Sequence, residues 1–222
     1  PDPARQSDQQ EVQQPAEAVE HRRGGNALDG EPILLLPSGD GVAASYTRPK
    51  NWPEQLKRRW KVTVGAGHSS PVVAGGRVYM LTRQGGEEVV TALDLSTGRQ
   101  LWQNKYATVK YAVHEAAREH GDGPKATPVL HGGKLFTLGV TGILNAWDTA
   151  TGKQLWTKDF SKTIDTSKMF CGTAASPLAV NGNLIIQVGS DIHGGQILAL
   201  DPSDGKVKWE WKGAGPGYAS PV

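Results

Sequence analysis

Four residues recur at identical internal offsets three times along this chain, and that repetition constrains the fold more than any other feature. Ala92, Asp94, Gly98 and Trp102 form the first set, Ala146, Asp148, Gly152 and Trp156 the second, and Ala199, Asp201, Gly205 and Trp209 the third. The sets lie 54 and 53 residues apart, and a basic residue follows each glycine (Arg99, Lys153, Lys206). A second element precedes each set: Ser or Thr, then Pro, with Gly five residues after the Pro. Its copies are Pro71 with Gly76, Pro128 with Gly133 and Pro177 with Gly182, and a fourth begins at Tyr218-Ala219-Ser220-Pro221.

Each unit reads as four short strands. In the first, Pro71-Val72-Val73 is a strand and Ala74-Gly75-Gly76 supplies the positive-φ positions of a tight hairpin. Arg77 to Leu81 is the second strand, Val89 to Leu95 the third, and Ser96-Thr97-Gly98 turns into a fourth containing Leu101 and Trp102. Four antiparallel strands per repeat describe a propeller blade, which cannot cover its own faces and must stack on neighbours. Trp102, Trp156 and Trp209 then fall on outermost strands, where a flat indole packs on the adjacent blade while its N–H finds a polar partner. The small Ala and the turn Gly leave room for that contact, and the Asp accepts hydrogen bonds from the turn amides. These are structural docking positions.

Composition agrees with a turn-rich, all-β chain: 28 Gly, 14 Pro and seven Trp in 222 residues, with no apolar run long enough to span a membrane. A formal charge of +2, from 24 basic and 22 acidic side chains, leaves no global field to draw in nucleic acid, and no nucleic-acid partner is expected. The single Cys171 excludes an internal disulfide and any multi-cysteine metal site, and reads as a small buried or half-buried thiol. Residues 1–32, rich in Gln, Glu, Pro and Ala with seven acids against three Arg, read as a disordered leader. Residues 33–57 read as an irregular lead-in.

The pattern Ala-x-Asp-x-x-x-Gly-(Lys/Arg)-x-x-Trp resembles the tryptophan-docking motif of quinoprotein-type propellers, whose archetypes are alcohol dehydrogenases using pyrroloquinoline quinone (PQQ). The likeness covers residues 58–222. The wording Gly67-His68-Ser69-Ser70-Pro71, Gly123-Pro124-Lys125-Ala126-Thr127-Pro128 and Ala174-Ala175-Ser176-Pro177-Leu178 is similar to bacterial PQQ-like repeat proteins, including the propeller lipoprotein of the outer-membrane β-barrel assembly machine. The resemblance implies blades at about 65–106, 125–160 and 175–212, the start of another at 218–222, and a lone outer strand at 58–64 whose Trp60 serves the last blade of a closed ring. Because such rings have seven or eight blades, the resemblance implies an incomplete ring: a fragment or a truncated gene product.

The same resemblance raises the question of a quinone and Ca²⁺. A vicinal cysteine pair, which many such dehydrogenases place under the quinone, is absent, and no Asp/Asn cluster stands at calcium-loop spacing. PQQ with calcium therefore has no visible support, and no catalytic or metal residue is assigned. His68, Lys125 and Tyr218, just upstream of the Ser/Thr-Pro elements, are candidate contacts at an axial rim, or ordinary loop residues. His114-Glu115-Ala116-Ala117-Arg118 begins like a zinc-protease HExxH, but Arg118 occupies the second His position. The repeat is interrupted at 107–124, where Tyr111 to Glu119 reads as a short helix, either a solvated connection or a binding loop. Asp191-Ile192-His193-Gly194-Gly195 reads as a hairpin tip with too few ligands for a metal.

The functional expectation is a binding or assembly scaffold exported to the bacterial envelope, periplasmic or secreted and monomeric when complete. A protein partner or small ligand would bind on a propeller face. The alternatives are a PQQ- and calcium-dependent alcohol or sugar dehydrogenase, and an extracytoplasmic sensor domain of a larger receptor.

Overall fold

The computed structural model describes residues 50–51, 54–109, 111, 113–162, 169–190, 194–215 and 217–221. The expected leader and most of the lead-in lie outside them. Twelve strands form three four-stranded antiparallel sheets, each in plain sequence order. The first blade is β1 (Val72–Ala74), β2 (Arg77–Gln84), β3 (Glu87–Asp94) and β4 (Gln100–Ala107). The second is β5 (Val129–His131), β6 (Lys134–Leu138), β7 (Ile143–Asp148) and β8 (Gln154–Asp159). The third is β9 (Leu178–Val180), β10 (Asn183–Ser190), β11 (Gly194–Leu200) and β12 (Val207–Gly213).

The recurring residues build the same outer hairpin three times. Asp94, Asp148 and Asp201 each accept hydrogen bonds from the turn that follows, at 2.6–3.1 Å, through amides and hydroxyls of Ser96 and Thr97, Ala150 and Thr151, and Ser203. Gly98, Gly152 and Gly205 close these turns at φ of 73–74°, and their N–H groups donate to the same Asp carbonyls at 2.8 Å. Ala92, Ala146 and Ala199 stand directly opposite Trp102, Trp156 and Trp209, and the register shifts immediately after each Ala. Leu101, Leu155 and Lys208 are the extra residues of these bulges, which twist the outer strand where its Trp leaves the sheet.

Hydrogen bonds from Ser96 and then Thr97 hold the Asp94 carboxyl at a pKa of about 2, and those from Ser203 do the same for Asp201. Both folded values lie below the usual value near 3.8, so their stabilisation is fully present above that pH and is lost as pH falls towards 2. In urea titrations between pH 4 and pH 2, the Asp94→Asn/Asp201→Asn double variant is expected to lose less of its midpoint than the parent chain. Parallel curves would contradict this.

The core lies between blades. One layer joins the first two through Tyr79, Leu81, Val90, Ala92, Leu135 and Trp147. A second joins the next two, with Phe136, Leu138 and Leu144 against Leu184, Ile186 and Leu198. The indoles lie across the outer ends of these layers. Trp60 rests on Gly98 and donates to the Leu95 carbonyl at 2.9 Å; Trp102 rests on Gly152 and donates to Thr149 at 3.0 Å; Trp156 rests on Gly205 and donates to Pro202 at 3.3 Å. Trp209, by contrast, is 49% exposed and Trp211 55%.

Residues 58–64, expected as a lone outer strand, join no ladder among the described residues, and Trp60 makes the same contact as the repeat tryptophans. The nearest pairing is the isolated bridge of Ala66 with Arg83. The helix expected over Tyr111–Glu119 is only a 3₁₀ turn, Glu115–His120, because the His114 side chain accepts from the Ala116 N–H and Gly121, at φ 58°, ends it. Of the expected hairpin tip at 191–195, residues 191–193 lie outside the described set.

Candidate binding face at the axial mouth

The inner strands β1, β5 and β9 each begin at a Ser/Thr-Pro pair, and these pairs are hydrogen-bonded from blade to blade. The Ser70 N–H donates to Thr127 Oγ1 at 3.1 Å, the Thr127 N–H to Ser176 Oγ at 2.9 Å, and the Ser176 N–H to Ser220 Oγ at 2.9 Å. Proline fixes the chain direction at each step, and the preceding hydroxyl supplies the acceptor that the neighbour's amide needs. This rail runs along the ends at which the inner strands start.

The inserted segment 107–124 is docked on the blades beside that rail. Asp122 pairs with Arg83 Nε at 2.9 Å, and the same guanidinium donates to Thr108 Oγ1 at 3.1 Å. Tyr111 is buried, and its hydroxyl donates at 3.3 Å to the carbonyls of Met169 and Phe170; burial pushes its pKa up to about 12. Ala117 is buried too, while His114, Glu115, Arg118, Glu119 and His120 face solvent. The solvated-connection reading is therefore incomplete: one side of the segment is packed on the blades and the other is exposed.

The three rim candidates are distributed around this segment. His68 meets His120 edge to face, with ring centroids 5.7 Å apart. Lys125 turns its ammonium onto the carbonyls of His120, Gly121 and Gly123 at 2.9–3.2 Å, and half-burial lowers its pKa. Tyr218 accepts from the Phe170 N–H at 3.0 Å and packs on Phe170, which in turn packs on His114. The structure thus brings His68 and Lys125 to one end of the insertion and Tyr218 to the other.

Beneath the mouth lies a carboxyl that sequence patterning did not single out. Glu88, on β3, is completely buried. Its Oε2 accepts from the Tyr106 hydroxyl at 2.5 Å and its Oε1 from the Val140 N–H at 2.8 Å. Val140 belongs to the β6–β7 turn, so this carboxyl joins the first blade to the second. Burial raises the Glu88 pKa against the opposing pull of these hydrogen bonds and of Arg83 and Lys125. The signal was present in the sequence: period-two alternation puts Glu88 on the face of Val90 and Ala92, and the equivalent places in the other repeats are Gly142 and Gly195.

The donor set does not match a quinone with calcium. Among the described residues no three His, Cys, Asp or Glu side chains gather as metal ligands. Lys125 is engaged by three carbonyls and Glu88 by two donors within the protein.

Serial four-stranded antiparallel blades, packed face to face along interblade cores, define a β-propeller of the quinoprotein-like class. A family model described as outer membrane protein assembly factor BamB matches residues 52–118 and 86–220, and the chain belongs to that family. It is similar to the quinoprotein alcohol dehydrogenase PedH of Pseudomonas putida, 27% identical over 190 residues that make up 80% of this chain and 30% of PedH. The assembly factor BamB of Moranella endobia is 26% identical over 183 residues, 80% of this chain and 40% of that protein. Among solved structures, the quinohemoprotein alcohol dehydrogenase of Comamonas testosteroni aligns with a TM-score of 0.50 at 27% identity, covering 67% of this chain and 21% of that one. A europium-containing methanol dehydrogenase aligns at 0.52 and 23% identity, covering 73% and 27%, and shows the shared fold. The chain spans less than half the length of these relatives. No helix among the described residues is long and apolar enough to cross a membrane.

Proposed function

We propose that this chain is part of an exported envelope scaffold whose axial mouth, built by the insertion at 107–124, binds a protein partner. The observation that carries this reading is the two-sided character of the insertion. Asp122, Lys125, Tyr111 and Ala117 fix it to the blades, while His114, Glu115, Arg118, Glu119 and His120 stay in solvent. A loop held in one geometry before binding loses less conformational entropy on association than a loose one. The indole contacts at Gly98, Gly152 and Gly205 serve, in this reading, as docking joints that keep the supporting blades in register. Relatives named as outer-membrane assembly factors support an envelope location and a protein partner.

The test places a photo-crosslinking residue at position 118 of the full chain, with a control at Gln103 on β4, in envelope extracts. A partner trapped at 118 but not at 103 is identified and purified. Its affinity for the Glu115→Ala/Arg118→Ala/Glu119→Ala variant is expected to be at least about tenfold weaker, a loss of about 1.4 kcal/mol. Equal trapping at both positions, or unchanged affinity, would count against the proposal. Dye-linked alcohol oxidation that requires added PQQ and Ca²⁺ would replace it with the dehydrogenase reading.

A further inference from the structure

The buried carboxyl of Glu88 and the inserted segment draw on the same two cations. Arg83, directly opposite Glu88 in the β2–β3 ladder, and Lys125 are the positive charges that act on it. Arg83 holds the insertion through Asp122 and Thr108, and Lys125 holds it through the carbonyls of His120, Gly121 and Gly123. Tyr106 on β4 is the remaining titratable group against Glu88, and its own pKa is raised far above the usual tyrosine value by burial and by Glu88. Glu87, next in sequence, points away and pairs with Lys105 at 2.6 Å. The β6–β7 turn contributes the Val140 N–H, and a Cβ at Gly139 would collide with the Glu88 carboxyl, so the group has no room to turn aside. On its far side the Val140 carbonyl accepts from the Thr173 N–H at 2.8 Å, which carries the contact to the segment leading into the third blade.

We propose that Glu88 is a proton-controlled pin that couples the joint between the first two blades to the docking of the insertion at the axial mouth. With Glu88 protonated, Arg83 and Lys125 interact fully with Asp122 and the loop carbonyls. Ionised Glu88, itself out of water, competes for both cations. The insertion then loosens as pH rises. The sign follows from burial: the folded state keeps the Glu88 proton at a pH where the unfolded chain has released it, so ionisation is completed at a cost that appears on the alkaline side. This device goes beyond the binding reading and does not depend on what the mouth binds.

Amide exchange of Ala117 and Gly121 reads the docking, because their N–H groups donate to the His114 and Arg118 carbonyls within the 3₁₀ turn. In the full chain, protection of these amides, corrected for the intrinsic pH dependence of exchange, is expected to fall progressively across the Glu88 titration. The Glu88→Gln variant is expected to show a flat profile. Tyr106→Phe removes a hydrogen bond that favours the carboxylate, and is expected to move the midpoint to higher pH. A carboxyl carbon titration of Glu88 by NMR in the unmodified chain fixes where that midpoint lies, whether or not the variants fold. A Glu88 titration with no matching change in Ala117 and Gly121 protection overturns the proposal, as does an unchanged profile in folded Glu88→Gln.

Discussion

Replacing Gly152 by alanine is expected to destabilise the chain by about 2–4 kcal/mol, the sum of left-handed backbone strain and overpacking. The φ of Gly152 is +74°, and a Cβ there would lie 2.5 Å from the Trp102 ring, well inside van der Waals contact. Either the indole leaves its seat or the turn shifts, and both changes loosen the joint between the first and second blades. Gly132 provides the internal control. Its φ of +56° is similar, but nothing lies within 4 Å of its Cβ position, so Gly132→Ala is expected to cost only the strain of about 1–2 kcal/mol. Urea midpoints of the two variants separate close packing from backbone conformation. Equal losses would show that the indole contact contributes nothing at Gly152.

The second large effect concerns the tryptophans themselves. Trp102→Ala removes a half-buried indole from the joint, together with its hydrogen bond to the Thr149 carbonyl at 3.0 Å, and leaves Tyr79, 5.9 Å from the ring, without its aromatic neighbour. Full truncation of a buried aromatic costs about 3–5 kcal/mol, and partial exposure reduces the expectation here to about 2–4 kcal/mol. In the 222-residue chain Trp209 occupies the same repeat position but is 49% exposed, and Trp209→Ala in that polypeptide is expected to change stability by less than about 1 kcal/mol. The contrast between two equivalent positions is the informative result. Matching losses would mean that intrablade packing against Ala92 and Ala199, rather than contact with a neighbouring blade, sets the value of the indole.

These variants probe a feature that could be read from the sequence because it depends on offsets within one repeat. Ala92, Asp94, Gly98 and Trp102 stand in fixed local relation, so three copies specify one hairpin, and the three sheets follow from it. The bulges after Ala92, Ala146 and Ala199 left no mark of their own, because an extra Leu or Lys in an outer strand looks like any strand residue. The Ser/Thr-Pro element was visible, but its use was not: a hydroxyl that accepts from the next blade's amide is a contact between repeats, and offsets within a repeat carry no information about it. Lys125 looked available at a rim because its three carbonyl partners come from a loop whose path has no repeat counterpart. The stretch Tyr111–Glu119 forms only the 3₁₀ turn Glu115–His120, since local capping by His114 and Gly121 decides the outcome.

Glu88 shows the limit most clearly. A single acid in one strand of one blade breaks the repeat, and composition treats it as solvated surface. Only the meeting of β3, β4 and the β6–β7 turn removes it from water and supplies Tyr106 and Val140 as partners. The candidate site as a whole shares this property: the blades were legible as repeats, while the mouth is assembled from the residues that differ between them.

Exchange of the indole N–H protons, followed by NMR on the full chain with labelled tryptophan, tests the serial docking of blades most directly. The Nε1–H groups of Trp102 and Trp156, which donate to the next blade's turn, and of Trp147, which donates to Thr137 at 2.9 Å, are expected to exchange slowly. Those of Trp209 and Trp211, half exposed on β12 in the 222-residue chain, are expected to exchange faster. Rapid exchange at Trp102 and Trp156, indistinguishable from Trp209, would contradict the account.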